Sequence, residues 1–180
     1  MGGGSHVRVA ALCVVLAACG VERVDDGASD RTIACSPRTP ESTDDDVLGF
    51  YACVDAQLVD GAGCGEDGYP LGFGGRYGQR YWDGAPTTLS EDGQAWVTRV
   101  ASCLQVSLLD VIDRDTTCDA VWTLGFGTHD ECYVDSGFCA LPVADQLWVF
   151  SQIDAADRAR PEVVAMGQSV IARCEELASP

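Results

Sequence analysis

The chain has 180 residues, with 11 basic side chains against 28 acidic ones and a formal net charge of −17 at neutral pH. So acidic a polymer repels nucleic-acid phosphates and anionic lipid, which argues against both as partners. All the cations are Arg, and the absence of Asn removes every N-glycosylation acceptor.

In chain order, the first eight residues carry one cation, Arg8, and Val9 to Ala18 follow as an unbroken apolar run. A bilayer-spanning helix needs about 20 apolar residues, so this shorter run reads as the apolar region of an export signal. It ends in Leu16-Ala17-Ala18-Cys19-Gly20, which resembles the lipobox of bacterial lipoproteins. That resemblance implies a signal peptide over residues 1–18, cleavage before Cys19 and a diacylated Cys19 thiol. Two or three acyl chains anchor stably where one would not. Gly20 stands where an Asp would favour the inner membrane, so the expected location is the outer membrane of a bacterial envelope.

Residues 19–44 are rich in Asp, Ser, Thr and Pro and predict a lipidated, acidic tether pinned once, at Cys35. Residues 45–180 form the expected single domain. Loss of residues 1–18 removes one cation and no acid, leaving a net −18. With Cys13 gone and Cys19 acylated, eight of the ten cysteines remain, an even number that predicts four disulfides in an exported domain. No Cys-x-x-Cys pair suggests zinc, and the count alone leaves about 105 pairings open.

The domain reads as all-α, a small disulfide-stapled fold of about five to six helices. Asp44 to Asp46 suit the electropositive start of a helix carrying Val47, Phe50, Tyr51 and Val54. From Gly61 to Gly84 glycine recurs too often for a regular helix, which predicts a loop feeding a short aromatic segment, Tyr77 to Trp82. Thr88 with Glu91, or Ser90 alone, caps a long helix to about Asp113, with Trp96, Val100, Leu104, Leu108 and Val111 on one face. Pro142 opens a short helix through Leu147, Trp148 and Phe150. Pro161 opens another to Leu177, with Val163, Met166, Val170, Cys174 and Leu177 on one side.

Four features in order carry a family resemblance: Gly93-Gln94-Ala95-Trp96-Val97; Cys103-Leu104-Gln105; Thr128-His129-Asp130-Glu131-Cys132-Tyr133; and Cys139 followed by Leu141-Pro142. Over residues 47 to 175 this resembles the stanniocalcin family of secreted, all-helical, disulfide-bonded proteins. Carried over position by position, the resemblance implies Cys64 paired with Cys118, Cys103 with Cys132 and Cys139 with Cys174, which leaves Cys35 for Cys53. It also implies a non-catalytic binding module for a protein partner or a divalent cation. Two departures limit it. Gly78 stands near one expected Cys, and no Cys after Cys174 can form the covalent dimer of the animal members.

His129-Asp130-x-Cys132-Tyr133 also resembles secreted phospholipases A2, which implies a second expectation. His129 would be the general base, Asp130 would hold Ca²⁺ with carbonyls of a loop at Gly72 to Gly75, notably Gly72 and Gly74, and Asp110, Asp113 or Asp119 would orient the imidazole. Calcium is the only cofactor this reading requires; the binding-module reading needs none. Against it, the Cys pair expected before the His is replaced by Gly125 and Phe126, and the glycine loop lies too far back in sequence. No Gly-x-Ser-x-Gly elbow is present, and the acids Asp110, Asp113, Asp115 and Asp119 lack the order of an EF-hand.

Overall fold

Three of the helices begin where the sequence marks a start. A computed structural model describes Met1, residues 31–39, Ser42 and residues 47–179; the rest of the expected export signal, with Cys19, Gly20 and Asp44 to Asp46, lies outside the described residues. Ser90 accepts from the Gly93 N–H at 3.2 Å and starts α3, Glu91–Val111. Thr117 does the same for α4, Cys118–Phe126, and Pro161 opens α8, Pro161–Ala178. Before them come α1, Val47–Asp55, and α2, Arg76–Thr88; between α4 and α8 come α5, His129–Asp135, α6, Val143–Ser151, and the single turn α7, Ala155–Arg158. Among the described residues the fold is all helical, with seven helices of seven residues or more in place of the five to six expected.

Part of the additional helix sits where glycine obscured it. Gly61, Gly63 and Gly65 do form a left-handed turn, with φ between 71° and 88°. Tyr69–Gly75, however, is a wide π-type helical segment that runs directly into α2. Glycine serves close approach here: a Cβ on Gly74 would lie 2.5 Å from the Tyr51 ring, and one on Gly78 2.9 Å from Val47. The predicted loop is therefore a helix whose small residues let it lie against α1.

Helix α3 runs through the core, with Trp96, Val97, Val100 and Leu108 buried and the Trp96 indole N–H donating to the Tyr133 carbonyl at 3.2 Å. Val111, expected on that face, is exposed; Gln105 is fully buried instead. The segment 31–39 is a strap packed on the domain rather than a tether pinned once. Ile33 is in the core, and Ala34 exchanges hydrogen bonds with the Gln57 amide. The Arg38 N–H donates to Gln105 Oε1 at 2.7 Å, Ser102 Oγ donates to the Arg38 carbonyl, and the Arg38 guanidinium lies 4.0 Å from the centre of the Trp82 ring.

Four disulfides join Cys35 to Cys53, Cys64 to Cys118, Cys103 to Cys132 and Cys139 to Cys174, with Cα separations of 5.9, 5.5, 5.5 and 5.2 Å. The last three are pairs that the resemblance implies, and the first is the one left by elimination. Disulfide use of this density belongs to an oxidising, extracytoplasmic compartment. Among the described residues no helix is long and apolar enough to cross a membrane.

Candidate functional site

His129 is the first residue of α5 and lies in the core, 4% exposed. Its ring stacks on Phe126 at 4.9 Å and neighbours Tyr69, Phe73 and Tyr133. Nδ1 is 2.8 Å from the Gly125 carbonyl; a carbonyl only accepts, so Nδ1 carries the proton and Nε2 is left among aromatic rings. Burial pushes the imidazole pKa down to about 4, against a smaller upward pull from the Gly125 hydrogen bond and Asp130. The ring is neutral at pH 7 and almost wholly withdrawn from the surface. None of Asp110, Asp113 and Asp119 orients it, because the orienting group is a backbone oxygen.

Asp130 turns the other way, toward α8, where Ser169 Oγ donates to it at 2.7 Å and Arg173 Nη1 lies 3.8 Å away. It lines a recess with Thr123, Gly127, Glu162 and Ser169. Gly72 belongs to a different recess, beside Leu48, Glu66 and Arg76, and Gly74 lies against Tyr51. The structure brings the Phe73 ring near His129 but does not bring Asp130, Gly72 and Gly74 to one point, so this donor set does not fit the calcium shell of the phospholipase resemblance. Among the described residues no group of three His, Cys, Asp or Glu is arranged to hold a metal. Of the acidic group after α3, Asp113 accepts from Thr116 Oγ1 and the Asp115 N–H, and Asp115 pairs with Arg31 of the strap.

A second feature was not legible in the sequence. One face of α6 is fixed: Trp148 packs on Tyr81 and fills the space beside Gly84, Val149 is fully buried, and the Asp145 carboxylate accepts from Ser90 Oγ. Its other face presents Val143 and Leu147, 69% and 66% exposed, toward Ile171 of α8, 54% exposed. Between the two helices lies an apolar cleft of about 440 Å³, with Phe138, Phe150 and the Cys139–Cys174 disulfide among its lining. Comparison with known proteins finds no matching family model, no matching curated protein and no matching solved structure. The cleft and its lining are therefore read on their own chemistry.

Leu177, expected in the buried stripe of α8, is 68% exposed, whereas Val163, Met166 and Val170 are buried. The signal that could have marked the cleft is a second stripe: Val164 and Ile171, seven apart on α8, and Val143 and Leu147, four apart on α6, all off the buried faces.

Proposed function

We propose that this chain is a non-catalytic binding module of the bacterial cell envelope, similar to stanniocalcins, exported, lipidated at Cys19 and held at the outer membrane. The observation that carries binding is the cleft between α6 and α8. Large apolar side chains stand exposed along its two walls, and the Cys139–Cys174 bond ties the turn Phe138–Ala140, which also lines the cleft, to α8. Exposed apolar surface of this kind marks a place where another molecule docks.

What weighs against the phospholipase alternative is the placement of its two central residues. A general base needs hydrogen-bond reach to its proton, and His129 Nδ1 is engaged by Gly125 within an aromatic shell. The test incubates the membrane-anchored chain with phospholipid vesicles and millimolar calcium and follows fatty-acid release. No release above a protein-free blank is expected. Calcium-dependent release that disappears in both His129→Ala and Asp130→Ala would replace this reading with the esterase. The address is tested separately: Cys19→Ala should abolish palmitate labelling and release the protein from the envelope, and unchanged labelling would refute lipidation there.

A further inference from the structure

Resting on the binding-module reading, we propose that the cleft receives an amphipathic helix with a basic flank, supplied by another protein. The walls are two helices, and α8, with 18 residues, is about 27 Å long. A helix laid beside it would place anchors at i, i+3, i+4 and i+7 against Leu147, Phe150 and Ile171. An extended segment fits poorly because its backbone N–H and C=O groups would be buried without partners. The cleft's one amide side chain, Gln146, already donates to the Leu141 and Phe138 carbonyls. A helix satisfies its own backbone. The Cys139–Cys174 bond holds the turn Phe138–Ala140 against α8 before anything docks, which lowers the ordering cost of binding.

Charge selects the flank. The lining contains Glu175 and no cation, and α6 has no basic residue. Arg173 of α8 directs its guanidinium toward Asp130 and Asp135, on the α5 side. Glu175 itself is exposed. A second copy of a chain with net charge −17 would meet Glu175 with its own acidic surface, and an anionic membrane would do the same. Lys or Arg on the polar side of a docking helix would be attracted.

The experiment uses the full-length chain in neutral-lipid nanodiscs, with empty nanodiscs subtracted, and photo-cross-linking amphipathic peptides about four turns long. Peptides share one Leu stripe and differ in flank (Lys, Gln or Glu), and a further Lys peptide has the stripe scrambled. The Lys-flanked peptide is expected to label α6 and α8 and to bind roughly tenfold tighter than the Glu-flanked one, with Gln between. Leu147→Gln with Ile171→Gln, both at exposed positions, should weaken it about tenfold while leaving the circular dichroism unchanged. Glu175→Gln should bring the Lys and Gln peptides together and flatten the salt dependence.

The proposal is overturned by a Glu-flanked peptide that binds as well, by a scrambled Lys peptide that binds as well, or by labelling that ignores Leu147→Gln. Cross-links between two copies through α6 and α8 that the Lys peptide cannot displace would give the cleft to a second copy and overturn it too. If the Gln-flanked peptide alone labels the cleft, the charge argument fails while the binding-module reading stands. Fatty-acid release in the assay above would instead remove that reading.

Discussion

One backbone oxygen, that of Gly125, ends α4 and begins α5. It accepts from Thr128 Oγ1 at 2.9 Å, from the Thr128 N–H at 3.3 Å and from His129 Nδ1 at 2.8 Å. Gly125 can have no side chain, because a Cβ there would lie 2.6 Å from Tyr69 Cζ. Gly125→Ala should therefore destabilise the domain by about 1 to 3 kcal/mol through overpacking, read as a lower urea midpoint with an unchanged slope. The imidazole makes a pH prediction. The unfolded chain takes up a proton on His129 near pH 6.5, whereas the folded chain resists until about pH 4. Between these values the unfolded state binds more protons, so the stability contributed by neutral His129 is complete above pH 6.5 and is lost as the pH falls toward 4. The loss amounts to roughly 3 kcal/mol. In thermal melts from pH 7 to pH 4, His129→Phe should lose less stability than the wild type, although both lose some through carboxylates; identical slopes would mean that His129 is not buried in the neutral form.

Strap and helix meet at Gln105, the polar residue within the buried face of α3. Gln105→Leu would fill the same volume but leave the Arg38 N–H without its acceptor, at a cost of about 1 to 3 kcal/mol. Hydrogen exchange should then quicken at residues 36–39 and remain slow at Trp96 to Val100. On the opposite side, α2 holds α7 through Arg76, Tyr77 and Arg80, which reach Asp154 and Asp157. The hydrogen bond from Arg80, aided by the charges of Arg80 and Arg76, keeps the Asp154 carboxyl below its ordinary range. Its contribution is present above the ordinary carboxylate pKa and disappears as the pH falls through the lowered folded value. Asp154→Asn should loosen residues 155–158 at neutral pH as acid does in the wild type, measured by the same exchange experiment. Elements with a local cause were legible in the sequence: Ser90 and Pro161 mark helix starts, and the spacing of Trp96, Val100 and Leu108 marks a buried face. Tyr69–Gly75 was not, because Gly74 and Gly75 are used for tertiary contact with α1, and a propensity argument sees only their local effect. Gln105 and Leu177 escaped for the same reason. Gln105 is buried by the strap, and Leu177 lies beyond Val170, the last fully buried residue of α8.

At the scale of the molecule, covalent staples carry much of the topology, and their contributions differ with loop length. Closing the 18-residue separation of Cys35 and Cys53 is worth about 3 kcal/mol, and the 54-residue separation of Cys64 and Cys118 about 4 kcal/mol. Replacing the second pair by Ser should lower the melting temperature more than replacing the first; the reverse order would show that strap packing outweighs chain entropy. Non-reducing peptide mapping checks the four pairs directly. The candidate site was half legible: the segment around His129 stood out by its residue types, but the cleft depends on how α6 and α8 are set apart, which no single helix encodes. The strap also sets the leash between bilayer and domain. With the lipid on Cys19 as proposed, a tether loose through residue 44 would let the domain roam about 85 Å from its anchor; with the chain docked from Arg31 onward, the span is at most about 40 Å. On the proposed anchor the domain would be confined to a thin layer over the lipid headgroups, where anionic lipid would push an acidic body outward against the pull of its anchor. A partner carried on the same membrane would meet it at a local concentration that a longer leash would dilute.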